Sequence, residues 1–208
     1  LGDGLLVLED DSITLSGLAS TPDGKAYYEA LLVSETGSYR SVAELQTLLS
    51  DQFAAEYEAI RSILAAHPEA AQYYKQEAPA FPLTTPEQML SDLQARMQKL
   101  FPPIPGTPAG STVKTVSESL QDYTAPAFYL TAPLDDTAYN VIYINHKKTP
   151  DGLELYTTLA HEGYPGHLYQ NVYHNRQALA TGARPAGELL WYGGYLEGWA
   201  LYTEFLSY

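Results

Sequence analysis

The stretch LELYTTLAHEGYPGHLYQNVYHNRQALA, residues 153–180, contains both a helical pattern and a clear interruption of it. Apolar residues recur at helical spacing on both sides of a central GYPG segment, residues 163–166. Pro165 has no backbone N–H and disfavours helical geometry at Tyr164, and the flanking glycines permit unusual backbone angles. The pattern therefore predicts two helices with a break between them.

Two histidines flank this break, His161 before it and His167 after it. On an unbroken helix their spacing would rotate the second imidazole by roughly 240° from the first, so the two rings could not reach one metal ion. A bulge or kink over residues 163–166 would bring His167 back beside His161. A prediction of a shared metal site therefore depends on the break, and a straight helix over residues 159–170 would remove its main support.

The composition limits the classes of function. The chain has 208 residues, of which 45% are hydrophobic and 17% charged, which suits one globular domain or one and a half. A formal charge of −14 with no basic cluster argues against nucleic-acid binding. No apolar run approaches the roughly 20 residues that span a bilayer. Because the chain has no cysteine, any metal must be held by histidines and carboxylates.

Periodicity and capping signals predict a mainly α fold with a small antiparallel β element. A capping box at Ser41 and Glu44 opens the clearest helix. The predicted helices cover about 22–36, 41–64, 85–100, 149–162, 167–180 and 186–207, and the predicted strands cover 112–117 and 140–146.

The same pattern predicts three regions along the chain. These are a helical region over 1–101, a Pro/Gly-rich linker over 102–111, and a region over 112–208 that contains the strands and the metal-motif helices. The chain begins without Met and stops at Tyr208 inside a helical pattern. We therefore expect it to be a fragment of a longer chain.

The His-Glu pair at 161–162 and the nearby His167 are typical of a hydrolytic zinc site. In such a site two neutral imidazoles bind the metal, and the unligated Glu162 takes a proton from water. A third ligand is expected from a separate segment, where the downstream carboxylates are Glu188, Glu197 and Glu204.

Glu197 is the favoured third ligand because it lies in an apolar and aromatic stretch, where an unpaired charge is costly. The neighbouring Gly198 is expected to permit close backbone approach. Glu204 lies two helical turns further on and shares the Glu197 face, so it could orient a ligand histidine by accepting its second N–H.

Three further residues are candidates for substrate contacts or for support of the ligands. Gln170 lies one turn after His167 and either lines the cleft or belongs to a solvated helix face. Tyr164 and Tyr202 could donate to an oxyanion, although core packing is the alternative for any one of eighteen tyrosines.

HEGYPGHLYQ (161–170) and EGWALYTE (197–204) match the pattern HE-x-x-PGH-x-x-Q followed by EGWA-x-Y-x-E. In these residues the chain resembles the large bacterial family of domain of unknown function 885. The resemblance implies a helical, zinc-peptidase-like fold with one zinc ion. EGWA is also similar to the NEGFA segment of zinc aminopeptidases, which implies that Glu197 binds metal. Family proteins are longer than this chain, and a secreted or cell-envelope location is implied.

These observations favour a zinc-dependent hydrolase that cleaves peptide or related amide bonds through metal-activated water. One alternative is a non-catalytic binding or structural module, including a truncated domain whose site is empty or incomplete. Another is a metal-dependent amidase or esterase that acts on small molecules. The expected partner is a peptide or small amide substrate, with no prediction of oligomeric state.

Overall fold

The computed structural model describes residues 17–73, 80–133, 135–148, 152–182 and 192–208. The chain divides into two compact units at Gln72 and Tyr73.

The described part of the first unit is helical. After a 3₁₀ turn at Leu18–Ser20, helix α1 spans Gly24–Thr36 and helix α2 spans Val42–Ala66, and the short helix α3 (Ala70–Tyr73) reaches the division. The predicted helices over 22–36 and 41–64 are confirmed. The predicted capping box is present, because Ser41 Oγ accepts from the Glu44 N–H at 3.3 Å and Glu44 Oε2 accepts from the Ser41 N–H at 2.8 Å.

Helix α2 has good local signals but little burial. None of its residues is buried, and Phe53 in its apolar stripe is 73% exposed. Its definition therefore comes from capping and periodicity rather than from a core of its own.

The second unit contains a small sheet and the helices that surround it. Its elements are, in chain order, α4 (Pro86–Met97), β1 (Gly110–Thr115), β2 (Ala127–Leu130), β3 (Tyr139–Ile144), α5 (Gly152–Glu162), α6 (His167–Ala180) and α7 (Gly193–Leu206). A mainly α fold with a small sheet is confirmed. None of the described helices is both long and apolar enough to cross a membrane.

The sheet is mixed, and this corrects the predicted antiparallel element. Strand β3 lies in the centre, parallel to β1 and antiparallel to β2. The two strands predicted from the sequence are β1 and β3. They were predicted to pair antiparallel, but they are parallel. The reason is the intervening strand β2, which reverses the chain once more before β3 begins, so that β3 runs the same way as β1.

One core joins the sheet to the helices. Its buried members include Leu93 and Met97 of α4, Ile142 and Ile144 of β3, Leu159 and Ala160 of α5, and Leu168 and Val172 of α6. Helix α4 is further tied to α5 by the Tyr156 hydroxyl, which donates to Asp92 Oδ2 at 2.6 Å. Helix α4 therefore belongs to the same unit as the histidine-bearing helices.

This division differs from the boundary drawn at 102–111 from the sequence. Helix α4 was assigned to the helical region 1–101, but its buried face packs in the core of the second unit. The Pro/Gly-rich stretch lies within that unit and is fastened to it. Arg176 donates to the Pro105 carbonyl at 2.9 Å, and the Tyr169 hydroxyl donates to the Pro102 carbonyl at 2.7 Å.

Parts of two predicted helices lie outside the described residues. These are the helix start at 149–151 and residues 186–191 of the predicted last helix, which include Glu188. The described part of that last helix is α7, which contains EGWALYTE.

Candidate metal centre

The break predicted between the two histidines is confirmed. Helix α5 ends at Glu162 and helix α6 begins at His167, with a cis peptide bond between Tyr164 and Pro165. A Cβ added to Gly166 would lie 1.8 Å from the carbonyl oxygen of His161, so only glycine fits this turn. The chain therefore folds back tightly directly before His167.

The fold-back brings the two imidazoles together. Their ring centroids are 4.8 Å apart and the rings are nearly perpendicular, at 84°. Nε2 of His161 and Nε2 of His167 each lie 3.5 Å from the same carboxylate oxygen, Oε2 of Glu197. Three residues from three helices thus direct one atom each toward a common point.

Glu197 is positioned by the packing of α7. Thr203 is fully buried, and its hydroxyl lies 3.4 Å from the Ala160 carbonyl of α5. The indole N–H of Trp199 donates to the Pro165 carbonyl at 2.8 Å, which joins α7 to the break itself. Gly198 was expected to permit close backbone approach. This expectation was wrong, because a Cβ at that position would meet no atom within 4 Å.

Glu204 occupies the position expected from its spacing. Its Oε2 lies 3.2 Å from Nδ1 of His161, on the side of the ring opposite to Nε2. A hydrogen bond from Nδ1–H to a carboxylate fixes the tautomer in which Nε2 keeps its lone pair. Glu204 therefore orients His161 with Nε2 directed at Glu197.

Glu162 lies beside the three clustered residues and is held from strand β2. The backbone N–H of Tyr129 donates to Glu162 Oε2 at 2.8 Å. Burial raises the pKa of Glu162, while this hydrogen bond and the nearby His161 act in the opposite direction. The Tyr129 N–H therefore holds the Glu162 carboxylate in a partly desolvated environment.

Burial also lowers the pKa of His167, and the carboxylate of Glu197 only partly opposes that effect. A neutral imidazole keeps a nitrogen lone pair, which is the form that binds a metal. The short approach of His167 to Glu197 is therefore better described as two groups facing a shared point than as an ion pair.

The donor set and its spacing fit zinc. The three ligand atoms all lie within 4.8 Å of one another. Ligand bonds of about 2.1 Å in a tetrahedral site would place neighbouring donors about 3.4 Å apart, close to the 3.5 Å from each imidazole to Glu197. Two imidazoles and one carboxylate also leave a fourth position open, as in catalytic zinc sites.

The other predicted site residues are not part of the cluster of His161, His167 and Glu197. Gln170 is 8% exposed, one turn after His167, and within the described chain its Nε2 has no hydrogen-bond partner. Tyr164 is 1% exposed and its hydroxyl donates to the Ala109 carbonyl, which favours the packing alternative. Tyr202 is 56% exposed and follows Glu197 by five residues, which places it on another face of α7.

Two contributors were not predicted from the sequence. Tyr129 contributes a backbone N–H to Glu162, which no side-chain motif can reveal, and Trp199 contributes its indole N–H to the Pro165 carbonyl. The bond from Trp199 to the break depends on how α7 packs, so the local sequence could not have revealed it.

Comparison with known proteins agrees with the motifs. The model of a family described as bacterial protein of unknown function, DUF885, matches residues 7–208. The chain belongs to this family. No curated protein matches it significantly.

A solved structure with the same fold is a putative lipoprotein from Colwellia psychrerythraea, at a TM-score of 0.69 and 24% sequence identity. The alignment covers 93% of this chain and 35% of that protein, so the chain spans about a third of its length. The likeness supports the fold of the DUF885 chain.

Proposed function

We propose that this chain holds one zinc ion on His161, His167 and Glu197 and hydrolyses peptide or related amide bonds. The observation that supports this best is the approach of two imidazole Nε2 atoms, each at 3.5 Å, to a single oxygen of Glu197. Three ligands converge although they come from three helices, and Glu162 stands next to them with its carboxylate held in place.

When bound, zinc would supply a Lewis acid that polarises a carbonyl and lowers the pKa of water to about 7. Glu162 takes the proton of the attacking water and passes it to the leaving nitrogen. Glu204 keeps His161 in one tautomer and one orientation. The absence of cysteine from the chain leaves a nitrogen and oxygen donor set, which suits a hydrolytic centre.

The substrate class follows from the chemistry of the residues. A base that can protonate a leaving nitrogen is useful for amides, since an amine leaves poorly without a proton. The clustered residues are partly exposed, with Glu197 accessible at 57% of its side chain, so a substrate can approach from solvent. Peptides are therefore the first substrates to test, and small amides and esters are the second.

The location proposed for the protein is the cell envelope or the outside of the cell. The support is the similarity of the fold to a putative lipoprotein. Fractionation of the producing cells would test this proposal.

The test of the proposed function is the substitution Glu162→Gln in the intact protein. It keeps the size of the side chain but removes the proton acceptor. We expect zinc to stay bound at one equivalent, while turnover of a fluorescence-quenched peptide library falls by about 100-fold to 10,000-fold. Glu154→Gln, at the exposed start of α5, is the matched control and should leave turnover unchanged.

Retention of wild-type turnover by Glu162→Gln would remove the proposed role of that residue. Failure to bind stoichiometric zinc at neutral pH would favour the binding or structural module. Hydrolysis of small amides or esters without cleavage of the peptide library would move the assignment to an amidase or esterase.

A further inference from the structure

Tyr129 connects the proposed base to a buried polar network. Its backbone N–H donates to Glu162 Oε2 at 2.8 Å, and its side-chain hydroxyl donates to Asn140 Oδ1, also at 2.8 Å. The same hydroxyl accepts from the N–H of Ala132 at 3.1 Å. One residue thus contacts Glu162 with its backbone and the sheet with its side chain.

The position of Tyr129 in the sheet explains why its N–H is available to a carboxylate. The N–H of Asn145 donates to the Pro126 carbonyl, and the register pairs Phe128 with Tyr143. In an antiparallel ladder the hydrogen-bonded pairs alternate, so Tyr129 directs its N–H away from β3. Strand β2 is an edge strand, and this outer side faces Glu162 at the end of α5.

The side-chain half of the contact is anchored from several directions. Asn140 is 1% exposed, and its Nδ2 donates to the carbonyls of Gly110 at 3.0 Å and Thr137 at 3.2 Å. The Tyr129 hydroxyl also lies 3.4 Å from Oδ1 of Asn171, one helical turn after His167 on α6. The network therefore ties β2 to β3 and to the helix that begins at the second histidine.

We propose that Tyr129 is a positioning residue that sets the orientation of Glu162, an inference that rests on the proposed function. The hydrogen bond to Oε2 fixes the rotation of the carboxylate. Oε1 has no hydrogen bond from any residue that the structure describes, so it is the oxygen left to receive the proton of water. The hydroxyl network holds β2, and so holds the N–H that performs this orientation.

Loss of the Tyr129 hydroxyl should therefore change the orientation of Glu162 without changing the candidate zinc ligands. Tyr129→Phe leaves the buried Asn140 Oδ1 without its donor and allows β2 to shift. Tyr129 contacts none of His161, His167 and Glu197 through the hydrogen bonds described, so zinc binding should not change. Because a small displacement of a reacting group has a large effect on rate, we expect kcat to fall by about tenfold or more.

The experiment compares Tyr129→Phe with Tyr169→Phe in the intact protein. Tyr169 is the matched control, since its hydroxyl also donates a hydrogen bond to a partner in the same unit, the Pro102 carbonyl at 2.7 Å, and this bond involves neither Glu162 nor the partners of the Tyr129 hydroxyl. With the quenched peptide library, Tyr129→Phe should lower kcat, change KM by less than about twofold, and keep one zinc. Tyr169→Phe should lower the melting temperature and leave kcat unchanged.

A second readout needs no turnover and no metal. Amide hydrogen exchange at residue 129 reports the bond to Glu162 directly. Exchange there should become faster in metal-free Tyr129→Phe and stay at the wild-type rate in Tyr169→Phe. Unchanged exchange at residue 129, or an equal fall in kcat in both variants, would overturn the proposal.

A double variant separates this inference from the proposed function. If Tyr129 acts through Glu162, adding Tyr129→Phe to Glu162→Gln should cause no further loss of turnover. The same fold-loss in both backgrounds would overturn the positioning role. Failure of the proposed function appears differently, as wild-type turnover in Glu162→Gln alone or as absence of zinc.

Discussion

The segment 163–166 between the two histidines and helix α7 both position candidate ligands, but they are fixed in different ways. The segment is buried, with Tyr164 only 1% exposed, and its backbone passes so close to His161 that Gly166 admits no side chain. Helix α7 brings Glu197 from the outside, and the side chain remains 57% exposed. Its position depends on contacts such as those of Thr203 and Trp199.

The candidate ligands are therefore positioned in two ways, by local sequence and by long-range packing. A few adjacent residues determine how close the two histidines lie, because the tight turn at 163–166 places His167 beside His161. The approach of the carboxylate depends on long-range packing of α7 on α5 and on the break. Substitutions in the turn should therefore displace the two histidines from each other and abolish zinc binding. Substitutions in α7 should lower zinc affinity or stability by smaller amounts.

The largest effect is expected from Gly166→Ala. The new methyl group would lie 1.8 Å from the His161 carbonyl oxygen, which is backbone and cannot move aside without opening the turn. We expect a loss of about 3 kcal/mol or more in unfolding free energy, together with loss of zinc binding. Urea denaturation and metal analysis measure the two effects.

Gly198→Ala is the control for this change, because its Cβ would meet nothing within 4 Å. A helical alanine at that position should leave stability unchanged or raise it by up to about 1 kcal/mol. If Gly166→Ala behaved like Gly198→Ala, the tight turn would not be the feature that joins the histidines.

A smaller effect is expected from Glu204→Gln on α7. The amide is a weaker acceptor for the N–H at Nδ1 of His161 than the carboxylate, so the imidazole loses part of its orientation and basicity. Zinc affinity should weaken by about 10-fold to 100-fold, while the fold is retained. Competition with a zinc chelator measures the change, and an affinity equal to that of the wild type would show that Glu204 does not support His161.

The smallest effect is expected from Trp199→Phe, which removes the indole N–H but keeps an aromatic ring near Phe101 and Tyr169. Loss of the bond to the Pro165 carbonyl should lower the unfolding free energy by about 1 to 2 kcal/mol. One zinc should remain bound. A variant as stable as the wild type in urea would mean that α7 is held to the break by other contacts.

Local chemistry explains which parts of the fold could be predicted from the sequence. The break at 163–166 follows from one proline and two glycines, and the start of α2 follows from the Ser41 and Glu44 pair. Both are decided within a few residues. The grouping of His161, His167 and Glu197 was predicted from the motif spacing and from the resemblance to a known family. The family match over residues 7–208 confirms that resemblance.

The sheet could not be predicted in the same way, because successive side chains point to opposite faces in parallel and antiparallel strands alike. Strand β2 has only four residues, and its presence reverses the direction of β3 relative to β1. The contact of Tyr129 with Glu162 depends on that same strand, so it was hidden for the same reason. The unit boundary was misplaced because a proline-rich stretch looks like a linker until its anchors on Arg176 and Tyr169 are known.

We propose that His161, His167 and Glu197 form one zinc centre, and a crystal structure with anomalous diffraction at the zinc edge would test this proposal. In crystals grown with one equivalent of zinc, we expect a single peak bounded by the Nε2 atoms of both histidines and the carboxylate of Glu197, with ligand distances of about 2.0 to 2.2 Å. A map with no peak there, or with its only peak at other residues, would contradict it.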